Sequence, residues 1–314
     1  MLPKDRLEFI IPVYDEADCL PELMKRLLAL REKMSAVEMS FVFINDGSHD
    51  NSLEQLLSYA DRHPFIRVIS LSRNFGHQMA VTAGLDHSQA DYLCIIDADL
   101  QDPPELVEAM YAMAKKEGLR IVYGQRRERK GETAFKKLTA SLFYRLLRWM
   151  CKIEIPAGAG DFRLIDRKVA QALGRMGESH RFLRGMFPWA GFRSGAFLYD
   201  RDARYAGTTK YPFRKMFRFA LDAIFSFSNK PLRIASYAGG IVVSAGMFGI
   251  AYMFWLKFFT SRVVPGIMVI LVGTFTLGGL QILMLGLIGE YLGRVFEQVK
   301  HRPNYFVDIT RNME

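Results

Sequence analysis

With 314 residues, half of them hydrophobic, the chain has material for one large domain or two small ones and for a sizeable core. Its net charge of +9 suits nucleic acid, an anionic membrane surface or a phosphorylated substrate, without choosing among them. The three cysteines, Cys19, Cys94 and Cys151, stand far apart with neither zinc-ligand nor redox spacing, so both of those site types are excluded and reduced thiols are expected.

The N-terminal "MLPKDRLEF" has no apolar signal region, which predicts that the first domain stays in the cytosol. Apolar runs at 7–14, 40–45, 66–71 and 91–97 read as strands, and helical patterns lie near 20–33, 51–62, 78–88 and 104–117. Continuous apolar strands alternating with helices predict an α/β fold with a mostly parallel sheet covered on both faces. Ligands of such sheets bind beyond the carboxyl ends of the strands. The polar clusters fall at those ends: Tyr14-Asp15-Glu16, "NDGSHD" at 45–50, "SRNFGHQ" at 72–78, and the acids of "IIDADLQDPPE" at 95–105.

Asp97 and Asp99 are two apart, so an extended strand end would point both the same way. Paired carboxylates repel unless a positive charge sits between them, and Mg²⁺ or Mn²⁺, which favour oxygen ligands and often share them with a diphosphate, is the natural neutraliser. Asp102 reads instead as a cap for the helix that begins near Pro103-Pro104. His77 reads as a structural or substrate-positioning hydrogen-bonder, and Arg73 and Asn74 as shaping the cleft. Neither G-x-x-x-x-G-K-[ST] nor G-x-G-x-x-G after a strand occurs, which argues against a P-loop ATPase and a Rossmann dehydrogenase.

Further along, "GQRRERKGE" at 124–132 reads as a mobile basic loop. Two basic amphipathic stretches, 135–150 and 211–227, are expected to lie in the headgroup plane. Ile234–Trp255 and Val263–Gly289 carry no charge, and each exceeds the roughly 20 residues that cross a bilayer. They predict a transmembrane hairpin. Lys230, Arg233, Arg294, Lys300 and Arg302 flank it, against Lys257 and Arg262 in the connecting loop, so both termini are expected in the cytoplasm. Glu290 is placed to reach headgroups or Arg294. The glycines of both spans (239, 240, 246, 249; 273, 278, 279) offer surfaces for packing together or against another subunit, so a homo-oligomer stays open.

Taken together, "IIPVYDE", "INDGSHDNS", "LSRNFGHQMAVTAGL", "DADLQDPPE", "GDFRLIDR" and "GEYLGRVFEQVKHRPNY" resemble the family 2 glycosyltransferases of GT-A fold, within them the polyprenyl-phosphate branch. The resemblance spans nearly the whole chain. It implies transfer of a sugar from a nucleotide-sugar to a lipid phosphate, with inversion. By that resemblance Pro12, Tyr14 and Glu16 line the nucleotide pocket with Asp97, and Asp46 contacts the base or ribose. Asp97, Asp99 and Gln101 match the D-x-D-x-Q metal site for Mg²⁺ or Mn²⁺, and Asp161 in "GDFRL" matches the proposed catalytic base, with Asp99 beside it in the catalytic set. Arg126, Lys137 and Ser141 fall where the family contacts the lipid phosphate, and Arg204 and Lys210 match its basic loop near the acceptor. Asp15 departs from the Asn more usual after the tyrosine.

The implied organisation is a cytoplasmic GT-A domain over 1–210, an interfacial region over 211–232, two spans near 234–256 and 264–289 within 233–292, and a cytoplasmic tail over 293–314 in the bacterial inner membrane. A phosphate monoester has its second pKa near about 6 and scarcely needs a base. Asp161 is therefore expected to orient the acceptor or stabilise charge on the sugar. A processive polysaccharide synthase is disfavoured, since "RLLRW" at 145–149 puts Arg145 where such enzymes carry Gln and two spans are too few for a polymer channel. Nucleic acid is not an expected partner: no zinc finger, RNA-recognition signature or helix-turn-helix is evident. UDP-glucose is the first-choice donor and undecaprenyl phosphate the first-choice acceptor. UDP-N-acetylglucosamine, UDP-galactose, GDP-mannose and a 4-amino-arabinose donor remain alternatives, as does a non-catalytic membrane scaffold.

Overall fold

The computed structural model describes residues 4–127, 150, 159–179, 181–200, 228–259 and 266–313. Eight strands form one sheet in the order β7-β5-β6-β4-β1-β2-β3-β8. Strands β1 (Arg6–Val13), β2 (Glu38–Asn45), β3 (Ile66–Leu71) and β4 (Tyr92–Ile95) are the four expected ones. They pair in parallel as β3-β2-β1-β4. Helices α1 (Leu20–Lys33), α2 (Ser52–Arg62), α3 (His77–Asp86) and α4 (Leu106–Glu117) make the crossovers, also close to expectation.

Both faces of the sheet are buried, and the pleat sorts the side chains. Phe9, Ile11, Phe41, Phe43, Cys94 and Ile96 pack into one cluster with Leu23 and Leu27 of α1 and Leu56 of α2. Their neighbours Ile10, Val42, Ile44, Leu93 and Ile95 pack into the other, against Ala80 and Val81 of α3. The period-two alternation with both sets apolar is what makes these strands read as continuous hydrophobic runs. Each fully buried Phe contributes about 1.5–3 kcal/mol of transfer free energy. A charge enters this interior at Glu8, which is 1% exposed and bonds to Arg67 at 2.5 Å and to the Ser40 hydroxyl at 3.1 Å. Cys19 and Cys94 are buried free thiols.

The other half of the sheet is mixed. Strand β5 (Ile121–Arg126) runs parallel to β7 (Ser194–Tyr199), and β6 (Ala159–Asp166) lies antiparallel between β4 and β5. Gly124, Gln125 and Arg126 therefore belong to a strand, which corrects the loop reading of 124–126; all three pair with β7, and Gln125 also pairs with Ala159 of β6. Helices α5 (Arg167–Gly174) and α6 (Leu183–Trp189) cover this half, and Asp166 caps α5 by accepting the Val169 N–H.

Two long helices, α7 (Lys230–Phe259) and α8 (Gly266–Val299), are long and apolar enough to cross a membrane. Their large side chains point outward uncovered: Phe248 is 77% exposed and Phe275 78%. Among their described glycines only Gly239 approaches another side chain, Met284 of the partner helix. Helix α8 runs past the expected end at Gly289, and there Arg294 pairs with Glu290 at 3.0 Å. The tail that follows is not a free end. Val307–Arg311 forms β8, antiparallel to β3, and Asn312 donates from its amide to the carbonyls of Ala60 and Ile66.

Candidate active site

The site lies at the carboxyl ends of β1, β2, β3 and β4, and hydrogen bonds knit its loops together. The Asp15 N–H donates to the Ser48 hydroxyl at 3.1 Å, the His49 N–H to the Asp15 carboxylate at 2.7 Å, and the Glu16 N–H to the Ser52 hydroxyl at 3.1 Å. Asp15 takes a left-handed backbone (φ 52°), which a short polar side chain tolerates through such local bonds. Pro12 is buried within β1, while Tyr14 is 42% exposed at the rim, edge-on to His49.

Asp46 is 3% exposed, and its two oxygens accept the N–H groups of Phe75 and Gly76 at 2.7 and 2.9 Å. Its carboxylate staples the loop after β3 to the end of β2. Burial pushes its pKa up, and the two backbone bonds with nearby His77 and Arg73 pull the other way. Gly47 makes the close approach workable: its φ is +67°, and a Cβ there would lie 2.6 Å from the backbone of Arg73 and Asn74.

The central cluster follows from strand register. Antiparallel pairing of β4 with β6 sets Ile95 opposite Arg163. Continued two residues past the end of β4, that direction leads Asp97 toward Asp161. His77, at the start of α3, adds its imidazole: Nε2 stands 2.8 Å from Asp97 Oδ1. His77, Asp97 and Asp161 each bring one ligand atom to within 4.8 Å of the others. Next to His77, Gln78 accepts the Leu183 N–H at 3.0 Å, which docks α6 and sets Arg184 over Asp161. Arg184 Nε and Nη2 then donate to the two Asp161 oxygens at 2.8 and 2.6 Å, a bidentate fork.

These contacts set the charges. Burial works against a charged imidazole, but Asp97 and, beyond it, Asp161 raise His77 to about 9, so the ring is cationic at neutral pH. Burial alone would raise Asp161; the Arg184 fork and the nearby His77 and Arg163 reverse this and hold the carboxyl far below the usual range. Arg163, 4% exposed, stacks on Phe187 and donates to the Gly160 carbonyl at 2.7 Å, and its burial lowers it to about 10.

Asp99 behaves differently from Asp97. The chain turns at Ala98–Leu100, with Leu100 left-handed at φ 59°, so the extended end expected for the D-x-D pair is not what forms. Asp99 turns inward to 6% exposure and accepts the Gln101 N–H at 3.1 Å. Asp102 lies three residues before the α4 N-cap position, Glu105. Its carboxylate instead accepts the Tyr199 hydroxyl and stands 4.0 Å from Arg126. Lys137, Ser141, Arg204 and Lys210, with the amphipathic stretches except Met150, lie outside the described residues.

The model of glycosyl transferase family 2 matches residues 8–174. A glycosyltransferase of Bacillus subtilis, YkcC, is 44% identical over 307 residues, spanning 97% of this chain and 94% of that protein. The prophage bactoprenol glucosyl transferase homolog of Escherichia coli is 35% identical over 306 residues, spanning 96% and 98%. The chain belongs to glycosyl transferase family 2. It is a glycosyltransferase of GT-A fold. In this family 2 enzyme the carboxylates of Asp97 and Asp161, brought together in the cluster, fit a divalent cation such as Mg²⁺ or Mn²⁺. His77, Arg163 and Arg184 are the site residues that motif reading passed over or left in a bland role. Their signal was the polar residue at an α3 N-terminus and two arginines whose partner, Asp161, is distant from Arg184 in sequence.

Proposed function

We propose that the enzyme moves glucose from UDP-glucose to undecaprenyl phosphate, with inversion, at the cytoplasmic face of the bacterial inner membrane. The observation that carries this reading is the joining, in one chain, of a family 2 catalytic cluster to two apolar helices, over the same length as a relative named for bactoprenol glucosyl transfer. A lipid with a long prenyl tail stays in the bilayer, at about 0.8 kcal/mol per buried CH₂, so its enzyme has to work at the surface.

Two membrane crossings are supported by the tail. Strand β8 follows α8 yet pairs with β3, which precedes α7, so a chain that crosses the bilayer between them crosses an even number of times. With α7 and α8 as the crossings, the arrangement is a hairpin with the catalytic domain and both termini on one side. Tyr252 and Trp255 stack near the far end of α7, where aromatic side chains favour the interface.

In the reaction an oxygen of the lipid phosphate attacks the anomeric carbon, and the bond to the nucleoside diphosphate breaks on the opposite face. Tyr14, Asp15 and Glu16 with the 45–50 loop form the nucleotide side of the cleft. Asp97, Asp99 and Gln101 would hold the divalent ion, which would neutralise charge on the departing diphosphate. Arg126 receives the acceptor phosphate. Asp161 is an orienting group: both its oxygens are occupied by Arg184, and a carboxylate held so acidic is a poor base. The acceptor, with a second pKa of about 6, arrives already as a dianion.

The test is a donor screen with the full chain in detergent, undecaprenyl phosphate and Mn²⁺ or Mg²⁺. A hexose mass gain on the lipid from UDP-glucose alone is the expected result. A gain from UDP-N-acetylglucosamine, UDP-galactose, GDP-mannose or a 4-amino-arabinose donor would move the specificity. Binding of nucleotide-sugar without transfer to any lipid phosphate would favour the scaffold alternative.

A further inference from the structure

Arg126 does not stand alone on its strand. In the parallel pairing of β5 with β7 it is the register partner of Tyr199, and the next residue, Arg127, donates its N–H to the Tyr199 carbonyl at 3.0 Å. Tyr199 is 4% exposed, its ring edge-on to Phe162 at 5.7 Å. A buried hydroxyl needs a partner, and this one donates to Asp102. Asp102 is itself only 1% exposed, and its second oxygen faces Arg126 Nη2 at 4.0 Å. A carboxylate so deep calls for a nearby cation. Arg126 supplies it while keeping its side chain 34% exposed at the cleft.

The other flank of the guanidinium is Gly160. A Cβ there would lie 3.0 Å from Arg126 Nη2, so the absence of a side chain at Gly160 lets the guanidinium lie close against this strand. Gly160 directly precedes Asp161. Asp102 stands three residues beyond Asp99, at the end of the acidic turn. The Arg126 guanidinium thus lies between the acidic turn on the donor side and the Asp161 strand, with Tyr199 holding Asp102 in place beneath it.

We propose that Tyr199 and Asp102 are positioning residues that aim Arg126 at the acceptor phosphate, so that the turn carrying Asp97 and Asp99 also sets the geometry of acceptor capture. This rests on the reading of Arg126 as the acceptor-phosphate contact. The motif residue that sequence reading gave to a helix cap becomes the mechanical link between the two substrate sides. Tyr199 and Asp102 touch neither substrate and act through Arg126.

The test is direct binding of undecaprenyl phosphate to the full chain in detergent, without a donor, by native mass spectrometry. Arg126→Ala is expected to weaken binding by about 30-fold, the loss of a charge-assisted contact, and Tyr199→Phe by about 5-fold, the loss of a neutral one. The double variant should bind no more weakly than Arg126→Ala alone, because Tyr199 acts only through Arg126. A merely structural Tyr199 would instead give effects that multiply, and that result overturns the proposal, as does Tyr199→Phe binding like wild type. Asp102→Asn keeps the side-chain size and removes the charge facing Arg126. It should show the same weakening and the same non-additivity, and it stands in if Tyr199→Phe unfolds. UDP affinity, measured in parallel, should move less than about twofold, since the contact being lost lies on the acceptor side. If Arg126→Ala binds like wild type, or wild type does not bind the lipid, the acceptor reading itself fails and takes the proposal with it. If Arg126→Ala weakens binding and Tyr199→Phe does not, the acceptor reading stands and only the positioning role falls.

Discussion

Replacing Arg184 by methionine tests the central cluster most directly. The change keeps a long side chain and removes the fork that donates to Asp161 at 2.8 and 2.6 Å, leaving a carboxylate only 13% exposed. Hydrogen bonds to a charged group net about 1.5–3 kcal/mol, and stranding a buried charge costs about 3–5 kcal/mol. Two features pull toward the lower end. Arg184 is 33% exposed, so water screens the pair, and His77 and Arg163 still attract the anion. The expected loss is about 2 kcal/mol, or about 4–8 °C in Tm for a domain of this size. The pH dependence has a definite sign. Asp161 is depressed in the folded state, so the fork's contribution is fully present above the unfolded carboxyl pKa of about 3.9 and is lost as pH falls through the folded value. The deficit of the variant should therefore be flat between about pH 5 and 8 and narrow only below about pH 4. Tryptophan fluorescence melting in detergent reads it, with Trp189 at the end of the same helix. Turnover should fall by about 100-fold as the carboxylate loses its orientation. Melting within about 1 °C of wild type together with turnover within about twofold would refute the reasoning, because a fork of this geometry cannot be energetically silent.

Other outcomes follow from single features. Asp161→Asn should lower turnover without changing the shape of its pH profile between about pH 5 and 9; a wild-type deprotonation above the phosphate pKa of about 6 that the variant lacks would establish a base instead. Gly47→Ala forces a side chain onto a left-handed residue and into the Arg73–Asn74 backbone, so a loss of about 2–4 kcal/mol is expected, with the KM for the nucleotide-sugar rising more than that for the lipid. Removing residues 304–314 deletes β8 and the carbonyl of Phe306 that accepts the Ser72 N–H. Hydrogen exchange in the 72–76 loop should then speed up, and unchanged protection there would show that the tail does not brace the site. Chelation with EDTA should abolish transfer and added Mn²⁺ or Mg²⁺ restore it; full activity in EDTA would remove the metal from the mechanism.

The first four strands and their helices were legible because both faces of that half-sheet are buried, so each strand is apolar throughout and each loop is polar. The mixed half was harder. Strand β6 carries Asp161 and Arg163 within its run, and β5 ends in Gly124, Gln125 and Arg126, so neither shows an uninterrupted apolar signal. Strand β8, Val307–Arg311, mixes two apolar residues with three polar or charged ones on an exposed edge and looks like an ordinary tail. Asp97 and Asp161 were both identified from motifs, but their proximity was not. It depends on the antiparallel register of β4 with β6, which joins segments far apart in the chain.

By itself the sequence determined the family, the α/β class, the two apolar helices and the acidic residues at the strand ends. These are local properties of composition and spacing, and a one-dimensional pattern carries them in full. Tertiary structure alone decided which charges meet. It gave Asp161 to Arg184, Asp97 to His77, Asp102 to Tyr199 and Arg126, and Asp46 to the backbone of Phe75 and Gly76. A carboxylate becomes a base, a ligand or a brace according to the donors around it. Those donors are set by strand register and helix docking, neither of which is written at the residue itself.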